Sequence, residues 1–318
     1  MPLTAEAAMA RRGEGTMNPL AGNLLTDSRI HRFNHKAMAT EFAVWVNHAD
    51  AAYAGQAAWA SFLLLKGLEA ELSRFDPNSD IARLNLLPPG EILPLGKEAF
   101  RCLQLACTIS AATSGAFDVT AGTLKDHFLR HSSLPGRISD RLRAFTQPVG
   151  IKHLHLESES MTVWRDVGVI IDLGAIGKGY AVDRMVELLL EWGLTDFLVH
   201  GGASSVAARG HAPGHSGWPV TLRHPRATAR VLEQFALTDQ ALGASGVDKG
   251  MHIIDPRRRR PAVTPLAVWV AADTAAEADG WSTAFMIMPD AAIRRSAGEN
   301  RVARALILGR DDSVTAWP

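Results

Sequence analysis

Asp279 and Thr283 stand four residues apart in "ADGWSTA", so a predicted helix there carries a carboxylate and a hydroxyl on one face. Hard oxygen donors of this kind suit Mg²⁺, which takes few protein ligands and completes its shell with water and phosphate oxygens. The same pair also reads as a helix-terminal acid answering the dipole and a threonine bonding back to its own turn. The spacing leaves both readings open. A second stretch with chemical content is "IDLGAIGKGYAVD", where an apolar run breaks into Gly174, Gly177 and Gly179 around Lys178 and then resumes as a helix. It is not a P-loop, because Asp172 occupies the position of the first glycine and Gly179 follows the lysine where Ser or Thr is required. Nor is it a dinucleotide fingerprint, since the order is G-x-x-G-x-G. Glycines that permit close backbone approach, one positive charge and a helix N-terminus remain, which fits an anion-binding turn or a tight strand-to-helix turn with a solvated lysine. His252, just before Asp255-Pro256, is a third candidate, because an imidazole can take a proton from a hydroxyl near neutral pH. A lone histidine is more often structural. His153 with His155, and His211 with His215, lack a third ligand nearby and are read as non-ligands.

The elements that must position these residues follow from periodicity and punctuation. "TEFAVWV" alternates as a strand, and the segment from Ala51 to Phe75 has helical spacing. "DPNS" breaks the chain, and Ser79 is placed to cap a short helix through Leu84. A helix is predicted over Lys97 to Ala112, stopped by Gly115, and another over Lys178 to Trp192, ended by Gly193. "KHLHLESESMTVWRD" reads as two strands around a turn, and "VGVIIDL" as a continuous apolar strand covered on both faces. "TDFLVHGG", "WPVTLRHP", "PLAVWVAAD" and "RALILG" are further strands. Thr274 with Glu277 three residues later opens the helix that carries Asp279 in a capping-box pattern. Strands and helices are interspersed without a regular βαβ rhythm.

The bulk properties narrow the function. A chain of 318 residues with 47% hydrophobic and 21% charged content is an ordinary globular composition, large enough for two joined lobes. A formal net charge of zero argues against a nucleic-acid surface, and the basic run Arg257 to Arg260 is local. No stretch reaches the roughly 18 apolar residues of a membrane span, and no secretory signal is visible, so a cytoplasmic location is expected. Cys102 and Cys107 fit no zinc spacing or disulfide framework and are read as core fillers. Residues 1–30 are expected to form a mobile tail, with a single catalytic domain over 31–318.

Seven segments in order resemble one family, the FAD:protein FMN transferases, also called ApbE or flavin transferases. "IDLGAIGKGYAVD" looks like its central signature, "KAMATEF" its opening strand, and "SRFDPNSDIARLN" its Ser-x-Tyr-x-Pro segment with Phe75 at the aromatic position. "SGAFDVTAGTL", "LVHGGASSVAARG", "GASG" with "MHIIDP", and "ADGWSTA" follow, so that the likeness runs from about residue 36 to the C-terminus. The resemblance implies an α+β fold of two lobes, T-fold-like, with mixed or antiparallel sheets and packed helices. It implies Mg²⁺-dependent attachment of FMN, drawn from FAD, to a Ser or Thr hydroxyl of an acceptor protein with release of AMP. Alternatives on the same site are an FAD pyrophosphatase and a non-catalytic flavin-binding protein. The resemblance further implies that Asp279, Thr283 and the Gly177 carbonyl hold the metal, that His252 is the base and that Lys178 lies at the phosphates. Asp183 would lie near the nucleotide, Met38 and Phe75 on the isoalloxazine, and Gly201, Gly202 and Ser245 at the flavin site. Met38 and Phe75 read equally as core residues.

Three departures surround that pattern. Ala203 stands where the family has Asp or Asn after Gly-Gly, and Arg258-Arg259 stand where it has Thr-Gly. The segment between Ser245-Gly246 and His252 is short and lacks a tyrosine, which leaves Asp248 as the counterpart there.

Overall fold

The structure is a computed structural model, and it describes residues 17–19, 29–131, 146–247, 253–299 and 302–317. Strand β1 (Met17–Pro19) is followed by the hairpin β2 (Ile30–Ala37) and β3 (Thr40–Asn47), then α1 (Ala51–Leu72), α2 (Asp80–Leu86), β4 (Leu93–Pro94), α3 (Lys97–Ala112) and α4 (Gly122–His131). Strands β5 (Leu154–Glu157) and β6 (Thr162–Arg165) lead to α5 (Gly177–Glu191), β7 (Phe197–Gly201), β8 (Ser205–Arg209), β9 (Trp218–Arg223), β10 (Val231–Leu237) and β11 (Ala241–Gly246). The short pair β12 (Ile254–Asp255) and β13 (Arg260–Pro261) precedes β14 (Ala267–Ala272), α6 (Ala275–Phe285), α7 (Asp290–Gly298), β15 (Arg304–Leu308) and β16 (Val314–Trp317).

Eight strands form the central sheet in the order β16-β15-β14-β11-β8-β7-β3-β2, antiparallel throughout. Phe42 to Val46 of β3 are all buried, so this strand is covered on both faces instead of alternating. Helices α1, α5 and α6 pack side by side against the sheet, with α6 over β11 and β14 and α5 between α6 and α1. Smaller sheets, β1-β9-β10 and β4-β6-β5, flank this body. The fold is α+β, as expected. No helix among the described residues is long and apolar enough to cross a membrane.

Helix ends fall where the residue chemistry puts them. Asp50 caps α1 by accepting from the amides of Ala52 and Tyr53, and Ser79 caps α2 through Ala82. Gly115 and Gly193 take positive φ just beyond α3 and α5.

One strand reading is corrected, and one strand pairing was not expected. Met17–Pro19 lies within the stretch expected to be a tail, yet pairs with β9 in the register Met17↔Leu222, and Met17 is buried. A three-residue strand has no readable period, and its partner is about two hundred residues away. "VGVIIDL" has Val169, Ile171 and Leu173 buried, but among the described residues it joins no sheet and makes one isolated bridge, Ala121↔Ile170. Side chains replace the missing strand partner: Asn85 Oδ1 accepts from the Ile171 amide at 2.7 Å and its Nδ2 donates to the Ile171 carbonyl at 2.9 Å. Thr123 Oγ1 accepts from the Ile170 amide.

Candidate active site around the α5 N-terminus

The loop that delivers α5 is fixed by charge before it reaches its glycines. Asp172 Oδ2 lies 2.8 Å from Lys125 Nζ and 3.6 Å from Arg74, while its Oδ1 accepts from the Gly174 amide at 2.8 Å. Arg74 also pairs with Asp126. Burial alone would raise the Asp172 pKa, but Lys125, Arg74 and the Gly174 amide outweigh it and hold the carboxyl below its usual range. Lys178 follows in the first turn of α5, with its ammonium 3.4 Å from the Gly174 carbonyl.

Helix α6 crosses α5 at Gly179, where an added Cβ would sit 2.2 Å from the Ala275 carbonyl oxygen. That crossing brings Asp279 onto α5. Its Oδ2 accepts from the Gly179 amide at 2.9 Å, and Ser205 Oγ of β8 donates to both carboxylate oxygens at 2.9 and 2.7 Å. Burial pushes the Asp279 carboxyl up to about 7, opposed by the charge of Lys178 and by the Ser205 and Gly179 hydrogen bonds. One turn further along α6, Thr283 Oγ1 lies 3.0 Å from Ser245 Oγ of β11, which is also 2.9 Å from Ser282 Oγ.

Asp183 is turned toward α6. Its two oxygens accept from the amides of Ala275 and Ala276 at 2.7 and 2.8 Å, so it satisfies the first donors of the helix that carries Asp279. Burial pushes this carboxyl up to about 7 against those two amides. Thr274 completes the cap, accepting from the Glu277 amide and donating to Glu277 Oε2.

At the other side of α5, Gly201 ends β7 against Val182 and Phe42, and Gly202 turns with φ 62° beside Thr40. A side chain at Gly202 would be strained in that conformation and would meet Thr40 Oγ1 at 2.6 Å. Met38 lies in the β2–β3 turn with φ 50°, and its amide donates to Glu69 Oε1 at 2.6 Å. Phe75 is 81% exposed, with the Arg74 guanidinium 4.9 Å from its ring, which removes the reading of a core residue. Gly177, Lys178, Asp279, Thr283, Ser245 and Gly201 are thus gathered around α5 and α6, and Phe75 joins them through Arg74 and Asp172. Met38 is tied to α1 through Glu69. His252 and Asp248 lie outside the described residues.

Ser205 and the Arg74–Lys125–Asp172 cluster were not read as site residues, since a lone strand serine and an ion pair 47 positions apart leave no local signal. Among the departures, Ala203 occupies the turn between β7 and β8. Asp255 Oδ1 accepts from the amides of Arg257 and Arg258, while Arg259 donates to the Gln147 carbonyl. The arginine run is therefore a turn folded back on Asp255.

The ApbE family model matches residues 25–307. The chain belongs to the ApbE family. It is 25% identical over 303 residues to the FAD:protein FMN transferase of Salmonella typhimurium, covering 89% of this chain and 85% of that protein. Against the FAD:protein FMN transferase of Klebsiella pneumoniae, identity is 25% over 263 residues, 77% of this chain and 75% of the relative. Among solved structures, the ApbE protein of Thermotoga maritima superposes with a TM-score of 0.80 at 24% identity, covering 91% of this chain and 97% of that one. The flavin transferase ApbE of Vibrio cholerae gives 0.79 at 23% identity, with coverage of 91% and 97%. These likenesses establish an ApbE fold.

Proposed function

We propose that this chain is a Mg²⁺-dependent transferase that moves FMN from FAD to a Ser or Thr hydroxyl of an acceptor protein and releases AMP. One observation carries the reading: the Asp279 carboxylate is buried at the α5–α6 crossing and, among the described residues, accepts only from neutral donors, beside the Thr283 and Ser245 hydroxyls. A buried carboxylate that forms no ion pair among the described residues favours a ligand that supplies positive charge. Among the described residues no three His, Cys, Asp or Glu side chains are grouped to hold a metal. A site of one carboxylate with hydroxyl and carbonyl oxygens therefore fits Mg²⁺, which needs few protein ligands, and does not fit zinc.

In this reading Asp279 and Thr283, with the Gly177 carbonyl, hold the ion, which when bound supplies charge stabilisation at the pyrophosphate. Ser205 and the Gly179 amide hold Asp279 in place, and Asp183 fixes the helix that carries it. Lys178 neutralises charge on the pyrophosphate. Met38, Phe75, Gly201, Gly202 and Ser245 shape the flavin side. The acceptor hydroxyl oxygen attacks the phosphorus of the FMN moiety, and the bond from that phosphorus to the bridging oxygen breaks. The bridging oxygen leaves with AMP, and the hydroxyl proton passes to His252.

Mass spectrometry tests the reading directly. Purified protein with FAD, Mg²⁺ and acceptors carrying flavinylation sequences should yield an acceptor heavier by one FMN, and neither EDTA nor Asp279→Ala should permit it. FMN and AMP formed without any acceptor would point to hydrolysis, and absence of both products rejects catalysis.

A further inference from the structure

Three parts of the candidate site are tied to the first turn of α3, which itself carries none of the site residues. Gly96 opens that turn, and its amide donates to Asp80 Oδ2 at 2.6 Å. Asp80 begins α2, just after the loop that presents Phe75. The Ala99 amide donates at 3.3 Å to Glu71 Oε2 in the last turn of α1, where Glu69 also holds the Met38 amide. Carboxylates from α1 and α2 thus answer amides that a helix start leaves without partners. Gly96 lets both approach, since a Cβ there would lie 2.7 Å from Glu71 Oε2 and 3.0 Å from Asp80 Oδ2.

The third tie runs to α5. Glu98 stands between those two anchored amides, and its Oε2 accepts from the Tyr180 hydroxyl at 2.8 Å. Arg184, one turn further along α5, places Nε 2.9 Å from the same oxygen as an ion pair without hydrogen-bond alignment, and it also pairs with Glu187. Tyr180 itself is buried. It follows directly on Gly177, Lys178 and Gly179, the last of which donates its amide to Asp279. Whatever fixes Tyr180 therefore fixes the turn that presents the groups assigned to the metal and the pyrophosphate.

We propose that Glu98 and Tyr180 are positioning residues for FMN transfer, which hold the first turn of α5 in register with the segments bearing Met38 and Phe75. The proposal rests on the transferase reading. Steady-state transfer to an acceptor and calorimetric titration of the full chain with Mg²⁺ test it. Tyr180→Phe removes the hydroxyl and keeps the buried ring. It should lower kcat and Mg²⁺ affinity about tenfold each, and change KM for FAD by less than about twofold, because the Asp80 and Glu71 ties are intact. Glu98→Ala should do the same, and the double variant should be no worse than Glu98→Ala alone, since both cut one contact. Glu98→Gln keeps an oxygen for the Tyr180 hydroxyl and should restore most of kcat. Leu222→Ala, buried in the flanking sheet at β9, is the control for general loosening: it should lower the unfolding midpoint and leave kcat and Mg²⁺ affinity unchanged while folded. Circular dichroism verifies folding, and Tyr180→Phe decides by itself if Glu98→Ala does not fold. Unchanged kcat and Mg²⁺ affinity in Tyr180→Phe, a matching change in KM for FAD, no recovery in Glu98→Gln, or the same losses in Leu222→Ala overturns the proposal. A parent that binds Mg²⁺ but transfers no FMN rejects the transferase reading, and the Mg²⁺ titrations then decide the positioning role. A parent that does neither rejects both.

Discussion

Asp279 and Gly179, one hundred positions apart, meet at 2.9 Å because Gly179 has no side chain to hold α6 away from α5. A methyl there would lie 2.2 Å from the Ala275 oxygen and 2.7 Å from the Ala276 amide nitrogen. Both obstacles are backbone, which cannot swing aside as a flexible side chain does. Gly179→Ala should therefore cost about 1–3 kcal/mol of stability, as overpacking typically does. Denaturant unfolding measures the loss, and a variant as stable as the parent would show that the helices can part without cost.

Asp183 supplies the second tie between the same helices. In Asp183→Asn the amide oxygen still accepts from one α6 amide, but the –NH₂ group is turned on the other donor. The expected loss is about 1 kcal/mol, the scale of a helix cap. A readout specific to positioning is the Mg²⁺ affinity of Asp279, which should fall in the folded variant. If stability falls and metal affinity does not, Asp183 is a cap and nothing more.

Those two ties show which parts of the site could be read from the chain. Helix α6 was legible because its cap, Thr274 with Glu277, is local, and the spacing of Asp279 and Thr283 then fixed their common face. Helices α3 and α5 were legible through apolar spacing and the glycines that stop them. Asp183 carries no local mark of its partner, since its hydrogen bonds reach Ala275 and Ala276 more than ninety positions away. For the same reason "VGVIIDL" read as a sheet strand: its apolar pattern is correct, but the Asn85 side chain stands where a neighbouring strand was expected. Periodicity reports burial, and it is silent about which atoms satisfy the backbone. Helix α4 was missed because its short sequence buries Leu124 and Phe128 in a small cluster of their own with Ile254.

The Asp172 cluster makes stability depend on acid. Lys125, Arg74 and the Gly174 amide depress the folded-state pKa of Asp172 below the usual 3.8 in spite of burial. A carboxyl so depressed adds stability above its unfolded value, and that stability is lost as pH falls through the folded value. Asp172→Asn should therefore destabilise the protein by about 2 kcal/mol near neutral pH. The difference from the parent should narrow below about pH 4. Unfolding curves across pH 2.5 to 7 test this, and a gap that stays constant would remove Asp172 as its source.

Lys178 should separate chemistry from metal binding. Among the described residues its ammonium makes one long contact, 3.4 Å to the Gly174 carbonyl, so Lys178→Met should change stability by less than about 0.5 kcal/mol. Its charge lowers the Asp279 pKa, and a cation at that position also repels a second cation. Removing it lifts that repulsion but raises the Asp279 pKa further, so Mg²⁺ affinity should be equal or higher when measured well above about pH 7, where the carboxyl is ionised. Transfer of FMN should nevertheless slow by about 100-fold, the typical loss when one preorganised donor to a reacting oxyanion is deleted. Asp279→Ala gives the opposite pattern, with metal binding and transfer lost together. Calorimetry with Mg²⁺ beside the acceptor mass assay distinguishes the two variants. If Lys178→Met lost metal binding along with transfer, the lysine would belong to the architecture of the metal site and not to the phosphates.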